Sequence, residues 1–255
     1  MNIKIPYTPR KHQNYLHQQI NKHRWSVLVC HRRFGKTVCM INHLIKSALM
    51  CKHKNPRFAY IAPTFKQAKS IAWDYMKQFT DKIPATKFNE TELRVDLPNG
   101  ARITLLGAEN SDGLRGIYLD GCVIDEYANI EGKLFAEIIR PALSDRKGYC
   151  VFIGTPAGMN NNFYDLYQHA NGADDWFNYK AKASDTKIVD PEELEKAREV
   201  MGEKKYLQEF ECDWIANIEG AIYGDEVAKL DDKKQLARVP YDPTLPVSTA
   251  WDLGV

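Results

Sequence analysis

Two adjacent carboxylates, Asp125 and Glu126, end the apolar run Gly121-Cys-Val-Ile-Asp125. Such a run reads as a buried strand. It delivers both acids to the C-terminal edge of a sheet, where open α/β sheets bind ligands. An acid pair there suits phosphoryl transfer to water. Asp125 would hold Mg²⁺, directly or through water, and Glu126 would orient and deprotonate the attacking water. Two acids at a strand end are also an ordinary solvated terminus, so the pair gains meaning from what precedes it. In residues 26–37, SVLVCHRRFGKT, the apolar Val27-Leu28-Val29 runs into a loop ending Gly35-Lys36-Thr37, and a helical pattern follows. Strand, loop and helix are the parts of a phosphate cradle. Backbone N–H groups at the helix start face the anion and the helix dipole favours negative charge there. Lys36 would reach the β- and γ-phosphates, and the Thr37 hydroxyl would sit on the Mg²⁺. The loop departs from G-x-x-x-x-G-K-[ST], because Cys30 stands at the first glycine position and Arg32 and Arg33 lie inside it. Arg33, Phe34, Gly35, Lys36 and Thr37 are its candidate nucleotide contacts.

Further motifs stand around this pair. Gly113-Leu-Arg115-Gly116 precedes the acids, and glycines flanking an arginine suggest a mobile loop presenting a guanidinium to charge developing on the γ-phosphate. Gly154-Thr155-Pro156 follows another apolar run, where Thr155 could sense the γ-phosphate and move on hydrolysis. Near the start, Tyr7 could stack on adenine, and the Gln13 amide could read its edge by donating and accepting together. Asp252 ends an apolar stretch, as one acid of a two-metal nuclease would, but the rest of that unit is not in these residues.

The elements that must position these groups follow from hydrophobic pattern. Short helices are expected over 9–22, 36–50, 66–79 and 131–140, the last stopped by Pro141. Strands are expected over 25–30, 57–62, 121–125 and 149–153, and a hairpin turn at Pro98-Asn99-Gly100. Apolar strands alternating with helices predict an α/β fold with a mostly parallel sheet covered on both faces. Residues 190–216 read as helical and charged. Residues 228–247, with Pro240, Pro243 and Pro246, read as a linker, and a new strand opens at Val247.

Bulk properties narrow the class. The chain has 255 residues, 44% of them hydrophobic, and a net charge of +2. Nucleic-acid contact would therefore depend on local patches rather than a global field. A cluster of Lys46, Lys52, His53, Lys54 and Arg57 is one such patch, though it also reads as a solvated face. There is no secretory h-region and no run near the ~20 apolar residues that span a bilayer. The six cysteines form no C-x-x-C pair and read as free thiols of a reducing compartment. Cys39 and His43 are four apart on a predicted helix, with Cys51 and His53 following, a zinc-like spacing. With a phosphate loop at that helix start, core thiols and surface histidines are the reading adopted.

Taken together, these residues resemble the large terminase subunit of tailed bacteriophages, the ATPase that packages DNA into procapsids. The resemblance covers almost the whole chain. Pro9-x-x-x-Gln13 is similar to its adenine motif, and Cys30 to Thr37 to its deviant Walker A. Ala62-Pro-Thr-Phe-Lys-Gln67 resembles the segment after its second strand. Leu114-Arg-Gly116 and Val123-Ile-Asp-Glu126 resemble its arginine-finger loop and Walker B, and Gly154-Thr-Pro156 its coupling motif. Tyr206-Leu-Gln-Glu-Phe210 with Asp213 resembles its lid, and Thr249-Ala-Trp-Asp-Leu-Gly254 the first strand of its nuclease domain.

The resemblance implies a RecA-like P-loop core over residues 1–189, a lid over 190–227, a linker over 228–247 and a truncated nuclease start over 248–255. It implies ATP and Mg²⁺ as ligands. It also implies a ring, expected as a pentamer, that translocates double-stranded DNA on a portal protein together with a small terminase subunit. Arg115 would then reach a neighbour's γ-phosphate, and Arg32, favoured over Arg33 by its spacing from Lys36, would act in cis. Asp252 would be a first nuclease ligand in an incomplete site, so nuclease activity is not expected. The expected location is the host cytoplasm, with no membrane partner and no place in the virion. A helicase-like nucleic-acid ATPase, a P-loop kinase and a non-hydrolysing nucleotide switch are the competing readings. A helicase needs a second lobe, and the water-activating Glu126 beside Asp125 argues against the other two.

Overall fold

The computed structural model describes residues 5–215 together with Leu230 and Thr244. The chain divides into two compact units, Met1–Asn217 and Ile218–Val255. The expected linker, nearly all of it, and the 248–255 strand with Asp252 lie outside the described residues. The described elements run α1 (Lys11–Ile20), β1 (Trp25–Cys30), α2 (Lys36–Met50), β2 (Arg57–Ala62), α3 (Phe65–Ala68), a π-helical stretch (Lys69–Trp73) and α4 (Asp74–Thr80). β3 (Lys87–Asn89), β4 (Arg94–Asp96), β5 (Arg102–Gly107) and β6 (Gly121–Asp125) follow. Then come a second π-helical stretch (Leu134–Ile139), α5 (Arg140–Ala142), β7 (Tyr149–Gly154), α6 (Asn162–Asn171) and β8 (Trp176–Ala181). The last are α7 (Ala183–Thr186), α8 (Pro191–Met201) and α9 (Glu203–Phe210).

One sheet carries the strands in the order β3-β4-β5-β2-β6-β7-β1-β8. It is parallel from β5 to β8 and antiparallel only at β3–β4 and β4–β5. The mostly parallel α/β sheet expected from the sequence is therefore the one observed. The central strands read as continuous apolar runs because both their faces are covered. Alternate residues divide between two cores. Leu28, Tyr60, Val123 and Val151 pack with α1, α2 and α4 on one face. Val27, Ile61, Ile124 and Phe152 pack with the second π-helical stretch and α6 on the other. The hairpin turn at Asn99-Gly100 forms as expected, with Gly100 at φ +81°.

Two expectations are corrected. Helix 131–140 does not stop at Pro141. The π-helical stretch leads directly into α5, so Pro141 lies within the helical run, which ends after Ala142. The sequence reading also gave no edge strand β8, which pairs in parallel along the whole of β1. Its half-buried residues mix polar and aromatic types, so neither a continuous run nor a clean alternation announces it.

β6, β7 and β1 lie side by side and parallel, with Asp125 opposite Ile153 and Val29 opposite Gly154. Their C-terminal ends therefore bring the acid pair, Thr155 and the Gly35–Thr37 loop to one edge.

Candidate active site

The loop after β1 is held from below and from the side. Gln13, almost fully buried on α1, donates from Nε2 to Gly35 O at 3.2 Å and accepts at Oε1 from Arg10 N at 2.9 Å. Arg10 donates to Phe34 O at 3.2 Å. His31 N–H donates to Ala181 O at 3.0 Å, and Arg32 N–H to Glu209 O at 2.8 Å. Two residues of the loop take left-handed backbone, Arg33 at φ 70° and Gly35 at φ 86°. The left-handed backbone at Gly35 favours glycine, and a Cβ there would also press on the Gln13 amide at 2.9 Å. The first N–H groups of α2 have no partner within the helix, as an anion cradle requires.

Lys36 and Glu126 meet across this edge, with Nζ 3.1 Å from Oε1. Burial opposes the Lys36 charge, but Glu126 and Asp125 outweigh it and hold its ammonium above the ordinary pKa. Asp125 is 2% exposed. Its Oδ1 accepts from Glu126 N–H at 2.9 Å, and Oδ2 accepts from the Tyr60 hydroxyl. Burial, and then the Glu126 charge, push Asp125 up to about 6. A buried carboxylate beside a second one is short of positive charge, and a divalent cation would supply it. Thr37 stands close to the same Tyr60 hydroxyl. Thr37 and Asp125 thus fit a Mg²⁺ ion. Glu126 itself sits at φ 48°, a left-handed backbone that turns the chain straight after the strand.

The structure therefore brings together Lys36, Thr37, Asp125 and Glu126, and sets Thr155, half-buried, on the same edge. It treats other candidates differently. Phe34 is fully buried against His31, so its side chain belongs to the core. The Gln13 amide uses both its atoms on backbone and braces the loop. The Tyr7 hydroxyl bonds His17 Nε2 at 3.0 Å and its ring packs edge-on against His17 and Phe79. Arg32 and Arg33 are exposed, and Arg32 lies 3.9 Å from Glu209. Arg115 is 60% exposed and faces Glu137 at 4.0 Å, beside a cavity of 490 Å³ that Glu109, Glu131 and Lys133 also line.

Residues 29–228 match the family model of the terminase large subunit, T4-like-virus type, N-terminal part. The chain belongs to this family. The terminase large subunit of Thermus virus P23-45 is 31% identical over 126 residues, which cover 42% of this chain and 26% of that protein. The matched part is thus about a quarter of the curated relative. The large terminase ATPase domain of Thermus phage P74-26 superposes with a TM-score of 0.69 at 22% identity, over 82% of this chain and 95% of that one. The large terminase of another thermophilic bacteriophage, solved in complex with ADP, gives 0.69 at 15% identity, over 80% of this chain and 53% of that one. These likenesses establish the RecA-like fold of the large-terminase ATPase domain.

Within this terminase fold, sequence reading missed the groups that act through distant partners. Tyr60 offers a faint signal, as a polar-tipped aromatic in an otherwise apolar strand. Gln208 of α9 offers none, yet it is buried and donates from Nε2 to Pro156 O. With Glu209 on Arg32 N, α9 touches both the loop after β1 and the turn after β7.

Proposed function

We propose that this chain is an ATP-hydrolysing motor domain that drives translocation of double-stranded viral DNA into a procapsid, turning ATP and water into ADP and phosphate. The observation that carries this reading is the Lys36–Glu126 ion pair beside the buried Asp125. Without nucleotide, Lys36 occupies the carboxylate that must later accept a proton from water. An arriving γ-phosphate competes for Lys36 and frees Glu126 to orient the water. Thr37 and Asp125 would hold Mg²⁺, which neutralises phosphate charge when bound. Arg33, Gly35 and the α2 amides cradle the phosphates, with Arg32 as the cis arginine and Thr155 as the sensor of the γ-phosphate. Tyr7 and Gln13 serve the adenine, Tyr7 by stacking and Gln13 through its amide, which also braces the loop. Support also comes from the thermophilic-bacteriophage large terminase solved with ADP and with ATP-γ-S.

The rest of the proposal follows from family membership. Subunits form a ring, expected as a pentamer, in which Arg115 reaches a neighbour's nucleotide. The α8–α9 pair serves as a lid. The ring works with portal protein and the small terminase subunit in the host cytoplasm, and contacts DNA phosphates without reading sequence. Among the described residues no helix is long and apolar enough to cross a membrane. Steady-state ATP hydrolysis across protein concentrations tests the reading, with Glu126→Ala as control. A rate per subunit that climbs with concentration and falls by up to about 10⁴-fold in the control supports it. Hydrolysis that survives Glu126→Ala overturns the assignment of the base.

A further inference from the structure

At the opposite edge of the sheet, three metal-ligating side chains converge that the nucleotide site does not use. Cys51 is the first residue after α2, His53 lies in the bend that follows, and Asp120 immediately precedes β6. Their ligand atoms all lie within 4.8 Å of one another. We propose that Cys51, His53 and Asp120 form a zinc site that ties the end of α2 to the start of β6. The zinc-like spacing seen in the sequence also included Cys39 and His43, but those two are buried between α1 and α2, with His43 stacked on His17. The third ligand comes instead from a residue far along the chain. Of the residues read from sequence as a basic surface, His53 meets Asp120 with its ring, whereas Arg57 gives Asp120 only its backbone N–H and turns its guanidinium to the Pro56 and Gly100 carbonyls.

The geometry resembles a site already built. Asp120 is 7% exposed and divides its two oxygens. Oδ2 accepts from Arg57 N–H at 2.7 Å and from Arg146 at 3.3 Å. Oδ1 faces His53 Nδ1 at 2.5 Å, with Arg146 3.5 Å away. The groups on Oδ2 orient the carboxylate, as outer partners of a metal ligand do, while the ion would replace the hydrogen bond that joins Oδ1 to His53. The loop itself is pinned, since Arg146 donates to Lys54 O at 3.1 Å and the Tyr118 hydroxyl donates to Asn55 O at 3.1 Å. A thiolate, an imidazole and a carboxylate suit Zn²⁺ rather than the all-oxygen preference of Mg²⁺, with water as the fourth ligand. On binding, the Cys51 thiol and the His53–Asp120 hydrogen bond each give up a proton to solvent as their atoms bond the ion. α2 starts at Lys36 and β6 ends at Asp125, so the ion would fasten the far ends of the two elements that hold the nucleotide site.

The test is metal binding to the full chain without nucleotide. Zn²⁺ affinity is measured by competition with a chromophoric chelator, and Co²⁺ is added separately to look for a thiolate-to-metal charge-transfer band. The expected result is one tight site per chain and a Co²⁺ band that Cys51→Ser abolishes. Cys51→Ser and His53→Ala should each weaken Zn²⁺ by more than about tenfold, while His12→Ala, at a partly exposed histidine of α1 that bonds Tyr179, leaves Zn²⁺ affinity unchanged. Circular dichroism confirms that the variants fold, since both substituted side chains are at least partly exposed. A folded wild type with no stoichiometric site, or Zn²⁺ binding that survives Cys51→Ser and His53→Ala, overturns the proposal. The three groups would then be a structural ion-pair network around Arg146.

Discussion

β6 carries a buried aspartate at each end, and the protein treats them in opposite ways. Asp120, just before the strand, is surrounded by donors: His53, Arg146 and Arg57 N–H. Asp125, at the strand's last position, has the Tyr60 hydroxyl, its neighbour's N–H and a second carboxylate beside it. Burying a charge is costly unless it is paired. The first aspartate meets that condition within the chain. The second meets it only in part, through Lys36, which is itself shared with Glu126. In the ligand-free chain, the difference separates a carboxylate whose charge the chain already balances from one kept short of positive charge.

The largest expected effect tests whether part of that missing charge arrives from another subunit. Arg115→Ala should lower kcat by about 10³-fold in assembled protein, as loss of an arginine finger does. Glu126→Ala should be at least as inactive alone. Mixing the two variants should restore hydrolysis, because an Arg115→Ala subunit keeps its base and an adjacent Glu126→Ala subunit keeps its arginine. No recovery on mixing would place Arg115 in a local ion pair with Glu137 and leave the Asp125 edge complete within one chain.

Stability measurements sharpen the contrast directly. Without nucleotide or divalent ions, Asp120→Asn should destabilise the domain by roughly 2–3 kcal/mol, because Arg146 and His53 lose their shared anion. Asp125→Asn should do the reverse and stabilise it by roughly 1–2 kcal/mol, because it removes a charge that burial and Glu126 disfavour. The same Asp125→Asn should abolish Mg²⁺-dependent hydrolysis. Urea denaturation at about pH 7.5 reads both signs. Two substitutions that destabilise alike would mean that the aspartates do the same work.

Much of the nucleotide edge was legible because it is local. Val27 to Thr37 announces strand, loop and helix within a dozen letters, and Cys122 to Glu126 does the same for the acids. The central strands are buried on both faces, so their apolar runs carry no competing signal. The bracing was not legible, because its partners are far apart along the chain. Nothing near Gln208 says that it will reach Pro156, and nothing near Asp120 says that it will meet His53. Gln13 carries a related ambiguity, since an amide suited to a base edge is equally suited to backbone. Gln208→Ala should cost roughly 1–2 kcal/mol by leaving a buried carbonyl unpaired. It should also lower ATPase activity more than its effect on folding explains, if α9 links the two loops. A variant with full activity per folded molecule would reduce Gln208 to packing.

The smallest expected effect is on pH dependence, where two buried regions oppose each other. Asp125 stands at about 6 against an ordinary value of 3.8, so the folded chain holds its proton more tightly than the unfolded one. The ionised group therefore destabilises the nucleotide-free domain above pH 6, and stability returns as pH falls through 6 towards 4. His43 is lowered to about 3 by burial and then by His17 and Lys46, and His17 to about 4 by burial and then by Lys46. They lie between α1 and α2 with Nδ1 atoms 3.1 Å apart. Both are neutral in the fold, so the stability they contribute above pH 6.5 is lost as pH falls towards 4 and 3. Acidifying from about pH 7.5 to 5 should then lower Tm more in Asp125→Asn than in the wild type, by a few degrees. His43→Leu should show the shallowest acid limb. Saturating Mg²⁺ and ATP should make the wild type as acid-sensitive as Asp125→Asn, because a bound cation keeps the carboxylate ionised at both pH values. If the acid limbs of Asp125→Asn and wild type coincide without ligand, Asp125 is already neutralised by its own chain, and the two ends of β6 are not different after all.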